Sequence, residues 1–290
     1  MTQISRRSLF GAAAAASVLP VAGGLAAFSP IAAAAAAPKK ARTIVEIAAM
    51  SPIDMARKSD VVQTSYEIIR AAAGRLRDPE LRKAVLSIIE NPAPTIASAD
   101  QSAVLAALKK EGLIAAGRTS VFPKFSDTTR SPQPTWSAPG SGYGSHHAYP
   151  GGLCTHVALN VVSAESLVAA YDNIDGLKLD FDHAVGGEIL HDLHKPWVFQ
   201  WEADNACRKE EALAGTGEHH VLSIAESIKR GLPAEFVVAQ ACAHEHPGSA
   251  SGEAQVVGWL RAAAIIAGVD PVKAGLIAAD GKTLPLPRRI

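Results

Sequence analysis

The chain has 290 residues, 48% of them hydrophobic, so it is long enough to bury the core of one good-sized domain with smaller additions. Its 28 basic and 28 acidic side chains balance, which gives no support for a strongly basic surface that binds nucleic acid. Aromatic residues make up only 5% while alanine is abundant, and this composition favours helices.

The first residues have the pattern of an export signal. The segment Ser5–Phe10 resembles the twin-arginine motif, an apolar run follows it, and Ala32–Ala37 offers small residues for cleavage. A membrane helix over the same stretch is the competing interpretation, but its alanine content and two prolines weaken insertion. We therefore expect a cleaved twin-arginine signal over 1–37, a periplasmic or secreted protein, and contact with the membrane only during export.

Residues 38–117 show a helical pattern. Apolar residues recur with a period near 3.6 from Ile68 to Leu76 and again from Leu81 to Ile89. Asp78 and Pro79 are typical of a helix start, and a further helix is predicted over Ser98–Leu113. None of these segments carries a cluster of reactive side chains. We interpret this region as a helical lead-in that packs on the main domain.

Residues 118–145 differ in character, because proline, glycine, serine and threonine dominate. Long loops of this kind are usually functional or mobile. Since this segment directly precedes a histidine-rich region, we expect it to form a rim or lid.

Three cysteines, Cys154, Cys207 and Cys242, do not make a disulfide framework, because their number is odd and their spacings are long. The pattern favours small buried hydrophobic residues, with a single disulfide left open as the alternative.

All ten histidines lie between residues 146 and 246. They accompany a series of predicted helices, with Pro196 predicted to stop the second of them. Those helices are Val157–Ala170, Ala184–Leu193, Glu218–Lys229, Ala234–Ala243 and Glu253–Ala267. Imidazoles and carboxylates from facing helices of a bundle bind divalent transition metals. The candidate ligands are His156, His191, Asp192, His220, His244 and His246, whereas His183 and His219 are interpreted as ordinary hydrogen-bonded residues.

This ordered set, with Lys195 three residues after Asp192, resembles the HD-domain metal-dependent phosphohydrolases. The segment His146–Leu153 is similar to the corresponding part of certain bacterial exoribonucleases, and the resemblance covers residues 144–271. It implies an all-α fold, with an HD-type helical bundle over 146–290 and the lead-in as an N-terminal extension.

The resemblance also implies a chemistry. One or two divalent transition-metal ions (Fe, Mn, Co, Ni or Zn) would be held by the candidate ligands, with Asp192 able to bridge two of them. Lys195 would neutralise a phosphate oxygen, and His147 would contact substrate at the mouth of the site. The expected reaction is hydrolysis of a phosphate ester or phosphodiester in a small molecule such as a nucleotide.

The sequence departs from the family pattern at two positions. Arg261 or a nearby alanine stands where the family places a final aspartate ligand, so either one metal is bound differently, through Glu245 for example, or Arg261 binds a substrate anion. His194 stands where the family commonly has glycine, and its imidazole is a candidate substrate contact.

Two other classes of function stay open. Some HD-domain proteins are di-iron oxygenases with the same ligand types, and the departure at Arg261 is also consistent with a non-catalytic domain that binds a metal or ligand. Trp197, Phe199 and Trp201 are interpreted as core residues in preference to a pocket wall. Glu188, one turn before Asp192, is a candidate to orient a ligand histidine.

Overall fold

The computed structural model describes residues 41–142 and 145–285, so the expected export signal over 1–37 lies outside the described residues. The helices are α1 Ile44–Ala48, α2 Pro52–Arg57, α3 Asp60–Gly74, α4 Pro79–Glu90, α5 Gln101–Lys110, α6 Gly152–Asp175, α7 Phe181–Leu190, α8 Lys195–Val198, α9 Glu218–Lys229, α10 Ala234–Cys242 and α11 Ala250–Ala267. Strands β1 Ala212–Leu213 and β2 Thr216–Gly217 pair as a short antiparallel hairpin. The predicted all-α fold is confirmed.

The start of α4 follows the sequence signal. The carboxylate of Asp78 accepts hydrogen bonds from the backbone N–H groups of Glu80 and Leu81, and Pro79 occupies the first helical position. The predicted helix Ser98–Leu113 is shorter in the structure. A 3₁₀ turn ends at Ser98, and Asp100 caps α5 with its own carboxylate, which delays the start of the helix.

The helix ends near the histidines also differ from the prediction. Helix α7 ends at Leu190 instead of Leu193, so His191 and Asp192 lie in a tight turn over 191–194. Pro196 does not stop α7, because it lies in the first turn of α8, where its missing N–H costs no helical hydrogen bond. This turn places Asp192 where histidine side chains from several helices can contact it.

Two hydrophobic cores meet at the 191–194 turn. The first joins α3 and α4 of the lead-in to α6 and α7, and it includes Leu190 and Leu193. The second is built mainly from α9, α10 and α11, and it includes the fully buried Trp197 and Phe199. The helices before residue 117 therefore share a core with the helices that carry the histidines.

Helix α6 is long and apolar enough to cross a membrane by length and composition alone, with a mean hydropathy of 1.4. Its N-terminal half packs in the first core through residues such as Leu153 and Val161, whereas Leu167 and Ile174 in its C-terminal half are exposed. The buried half brings His156 to the 191–194 turn.

The three cysteines are free thiols, with Cys154 buried and the other two half-buried. This agrees with their interpretation as small apolar residues.

Candidate metal centre

Asp192 lies at the centre of the histidine cluster, and its side chain is fully buried. One carboxylate oxygen, Oδ2, lies 3.2 Å from Nε2 of His156 and 3.0 Å from Nε2 of His191. The other oxygen, Oδ1, lies 3.3 Å from Nε2 of His219 and 3.4 Å from Nε2 of His244. Each oxygen of one carboxylate therefore faces a different group of histidines.

The donors form two groups. Within each group, the ligand atoms all lie within 4.8 Å of one another. The three-donor group consists of His156, His191 and Asp192, and the four-donor group consists of Asp192, His219, His220 and His244. In the three-donor group the Nε2 atoms of His156 and His191 lie 3.2 Å apart. Two imidazoles that aim the same atom at one carboxylate oxygen are arranged as metal ligands are.

Several buried polar atoms in this cluster lack a hydrogen-bond partner, which shows whether a metal ion fits the site. Oδ1 of Asp192 and the Nε2 atoms of His219 and His244 are buried without a hydrogen bond of normal geometry, whereas Oδ2 of Asp192 has the ammonium of Lys195 beside it. Buried polar atoms are rarely left in this state, and a bound cation is one of the recognised reasons. The donor set of imidazoles and one carboxylate suits divalent transition metals, so these residues fit the expected ion or ions.

The candidate ligand histidines make contacts through Nδ1, the ring nitrogen that faces away from Asp192. Nδ1 of His191 lies 2.7 Å from the backbone oxygen of Glu188 and 3.7 Å from its carboxylate, so the main chain makes the closer contact. Nδ1 of His219 lies 2.5 Å from Oε2 of Glu210, and Nδ1 of His220 lies 2.6 Å from the hydroxyl of Thr216. Such contacts fix the ring so that its other nitrogen faces the metal. The segment from Glu210 to Thr216, which includes the short hairpin before α9, therefore holds the rings of two candidate ligands.

The electrostatics favour the ligand forms of His220, His244 and Asp192, whereas at His191 burial is outweighed by the charge of Asp192, which raises the pKa. Burial lowers the pKa of His220, and the neighbouring charge of His219 lowers it further. Burial also lowers the pKa of His244 to about 4, although Asp192 opposes the shift. For Asp192, burial alone would raise the pKa, but the charges of His191 and Lys195 outweigh it and hold the pKa well below its usual range. Neutral imidazoles and an ionised carboxylate are what a metal requires.

Lys195 is buried beside the cluster. Its Nζ lies 2.5 Å from Oδ2 of Asp192, and it also donates a hydrogen bond to the backbone oxygen of Gly140. The ammonium group therefore contacts Oδ2, the same carboxylate oxygen that His156 and His191 face. It is placed to neutralise an anion bound there.

His147 lies next to the three-donor group, with its ring centre 5.7 Å from that of His156. Its Nδ1 is 3.0 Å from the hydroxyl of Tyr149 and 3.2 Å from that of Thr155. Burial lowers the pKa of His147, and the charge of His156 lowers it further. The two hydroxyls hold one nitrogen of the ring, and its Nε2 takes no part in these contacts.

Two predicted site residues lie away from the cluster. His246 is exposed, and its Nδ1 accepts a hydrogen bond from the N–H of Gly248, because the chain turns outward after His244. Arg261 lies on the outer face of α11 and pairs with Glu111 at 2.5 Å. Glu245 belongs to neither donor group.

The helix face of α11 that points towards the cluster carries Trp259. Its ring centre lies 5.9 Å from that of His220, and its indole is almost completely buried. No residue of α11 belongs to either donor group in the described part of the chain. The final aspartate of the HD pattern therefore has no replacement on this helix.

His219 is the ligand candidate that sequence reasoning missed. The sequence pattern favours an ordinary hydrogen-bonded residue at this position, yet His219 joins the four-donor group together with His220. Both residues lie in the first turn of α9. Adjacent residues diverge by about 100° around a helix, but at a helix end both can reach one point. The same argument applies to the adjacent pair His191 and Asp192, and it is the sequence feature that could have identified His219 as a ligand candidate.

His194 is completely buried and does not face the mouth of the site. Its Nε2 lies 3.2 Å from Oε2 of Glu226, and its N–H donates to the hydroxyl of Ser223. Glu226 is equally buried and also accepts hydrogen bonds from Thr95 and Arg230. The pair connects the 191–194 turn to α9, so the structure places His194 in the interior and not at the surface, where a substrate contact was expected.

An open cavity of about 470 Å³ adjoins the four-donor group. Its polar lining includes Ser141, His146, Lys209 and Glu210, and it reaches His219 and His220. A cavity of this size is within the range of small-molecule sites. Part of the predicted rim at 118–145 therefore borders the opening, through Ser141.

We expect Glu210→Gln to weaken metal binding by about 10- to 100-fold, because it removes the charge that orients His219. The matched control is Glu211→Gln, since Glu211 is the next residue and pairs with Arg118 outside the donor groups. Equilibrium dialysis against Mn²⁺ measures both. Equal affinities in the two variants would contradict the orienting role.

The buried Glu226 carboxylate predicts an acid-sensitive contribution to stability. Burial alone would raise its pKa, but the hydrogen bonds from His194 and Thr95 and the charge of Arg230 lower it from 4.5 to about 2. A lowered pKa stabilises the fold above about pH 4.5, and this contribution is lost as the pH falls towards 2. Between these values, the free energy of unfolding of the native protein should fall by about 3 kcal/mol more than that of Glu226→Gln. Urea titrations across this range measure it, and equal pH slopes would refute the assignment.

Comparison with known proteins gives one informative relative. No family model and no solved structure matches the chain. A curated protein from Methanocaldococcus jannaschii, dihydroneopterin 2',3'-cyclic phosphate phosphodiesterase, is 27% identical over 180 residues. The match covers 59% of this chain and 56% of that protein, so the chain spans little more than half the length of the relative.

Proposed function

We propose that this protein is a metal-dependent hydrolase of the HD type that cleaves a phosphodiester. The observation that carries the proposal is the carboxylate of Asp192, whose two oxygens face two separate groups of histidines. The similarity to a phosphodiesterase supports the same class of reaction. Although α11 supplies no aspartate, the two groups together contain six donor residues, which is enough for two ions.

The residues around the donors have complementary roles in this proposal. Metal ions held by the donor groups would polarise phosphoryl oxygens and lower the pKa of a water molecule. The Lys195 ammonium neutralises negative charge on the phosphate. His147, with Nδ1 fixed by the hydroxyls of Tyr149 and Thr155, presents its other nitrogen to a substrate oxygen. Hydrogen bonds from behind hold His191, His219 and His220 in place.

We propose a small phosphodiester as the substrate. The 470 Å³ cavity is large enough for the organic part of a nucleotide-sized molecule, and its lining offers the polar groups of Ser141 and Glu210. The relative is named for action on a 2',3'-cyclic phosphate, which makes cyclic phosphodiesters the first compounds to test.

The direct test is hydrolysis of bis(p-nitrophenyl) phosphate and a 2',3'-cyclic nucleotide by protein loaded with Mn²⁺, Fe²⁺ or Zn²⁺. We expect turnover that a chelator removes and added metal restores. Arg261→Ala is the matched control and should keep full activity, because Arg261 lies outside the cluster. Metal-loaded protein that hydrolyses neither compound would contradict the proposal.

A di-iron oxygenase is the second candidate. The two donor groups share the carboxylate of Asp192 and place imidazoles at each of its oxygens, a ligand set that two iron ions also accept. Oxygen consumption by the iron-loaded protein, without hydrolysis of phosphodiesters, would favour this candidate. Metal binding with neither activity would favour a non-catalytic binding domain.

We also propose that the protein acts outside the cytoplasm. The twin-arginine pattern at Arg6 and Arg7 supports export after folding, a route that suits a protein carrying metal. Replacing both arginines with lysine should leave the uncleaved protein in the cytoplasm of the producing bacterium. Unchanged processing of that variant would exclude this route.

A further inference from the structure

The two donor groups are unequal in number. The four-donor group offers three imidazoles and one carboxylate oxygen, whereas the three-donor group offers two imidazoles and the other oxygen of the same carboxylate. No residue of α11 adds a donor in the described part of the chain, because Trp259 occupies its inner face and Arg261 its outer face. A divalent ion in the group with more protein ligands needs fewer water molecules to complete its coordination, which favours tighter binding.

A second difference is one of charge. The ammonium of Lys195 lies 2.5 Å from Oδ2 of Asp192, the oxygen that belongs to the three-donor group. Oδ1, on the four-donor side, is faced by His219 and His244 and by no lysine or arginine among the described contacts. A metal ion in the three-donor group must therefore share its carboxylate oxygen with a buried cation, and two cations beside one oxygen atom repel each other.

The lysine is itself held in place. It is almost completely buried, and its ammonium also donates to the backbone oxygen of Gly140 in the segment before the histidines. Its position is therefore built into the fold and is not a chance contact of a flexible surface chain.

We infer that the two halves of the cluster bind divalent ions with unequal affinity: the four-donor group retains its ion, while the three-donor group, opposed by Lys195, holds an exchangeable ion. This inference depends on the metal site in the proposed function and assigns a separate role to each half. The purified protein should contain close to one tightly bound ion.

The same geometry couples the second ion to the substrate. A phosphate anion bound beside Lys195 gives the ammonium another negative partner and so reduces its repulsion of the ion. Binding free energies are reciprocal, so phosphate should tighten the exchangeable ion and that ion should tighten phosphate, by about tenfold or more. Loading of the second metal would then accompany substrate binding.

The test is titration of metal-free protein with Mn²⁺, in which electron paramagnetic resonance separates free from bound ion. We expect one tight ion and a second bound at least about tenfold more weakly, with the second tightened by low millimolar inorganic phosphate. His220→Ala should lose the tight ion, and His156→Ala should lose the weak one. Lys195→Met should strengthen the weaker site and abolish the effect of phosphate. Circular dichroism shows whether each variant keeps its helices.

The outcomes separate this inference from the proposed function. Two ions of equal affinity, insensitive to phosphate, would overturn the inference and leave the proposed hydrolase intact. Loss of the tight ion in His156→Ala instead of His220→Ala would reverse the assignment and so refute it. An unchanged weaker site in Lys195→Met would overturn the role of the lysine. No binding of Mn²⁺, Fe²⁺ or Zn²⁺ at all would contradict the proposed function itself.

Discussion

Replacing Asp192 with alanine is expected to remove metal from both donor groups at once and to lower phosphodiester hydrolysis by at least about a thousandfold, or about 4 kcal/mol in the activation barrier. The reason is geometric, because one carboxylate supplies an oxygen to each group. Removing a single histidine should leave the other group's ligands complete. Metal content by mass spectrometry and kcat/KM for bis(p-nitrophenyl) phosphate measure the two effects.

The matched control for this variant is Asp182→Asn. Asp182 is another buried carboxylate, but it accepts hydrogen bonds from the N–H groups of Arg77 and Asp78 at the far end of α7. Its replacement should lower stability by about 1–3 kcal/mol and leave metal content unchanged. If both variants lost metal equally, loss of the fold would explain the result, and the central role of Asp192 would have no support.

Lys195→Met should lower kcat by about 100- to 1000-fold while metal stays bound. Methionine keeps an unbranched apolar chain of similar length but removes the ammonium that neutralises the phosphate. The four-donor group is untouched, so the tight metal ion remains. The combination of low kcat and retained metal distinguishes this variant from Asp192→Ala.

Steady-state kinetics and metal analysis on the same preparation of Lys195→Met provide the measurement. A variant with native kcat would show that Lys195 serves the fold alone. A variant without metal would show that the lysine supports the ligands in place of opposing them.

The fold was largely predictable because its signals are local. Apolar residues with a helical period and the Asp78–Pro79 start identify α4, and α9 spans the predicted range Glu218–Lys229. The ends of helices were less predictable, since Asp100 and the 191–194 turn act through side-chain capping and tertiary packing. The shared core of the lead-in and α6 arises from contacts between distant segments, which periodicity does not reveal.

The candidate site was partly predictable for a similar reason. His156, His191, Asp192, His220 and His244 were identified from clustering and from the HD resemblance, and the structure brings them together. His246 lies outside because the chain turns after His244, and Arg261 lies outside because its face of α11 points to Glu111. The buried partnership of His194 with Glu226 spans 32 residues, and no local pattern indicates it.

Anomalous diffraction from crystals grown with saturating Mn²⁺ tests directly whether each oxygen of the Asp192 carboxylate binds a metal ion. We expect two peaks on opposite sides of the Asp192 carboxylate. One lies among Oδ2, His156 and His191, and the other among Oδ1, His219, His220 and His244. Both peaks should be absent in Asp192→Ala crystals. An ordered Asp192 carboxylate with no anomalous peak beside either oxygen would show that it does not bind metal.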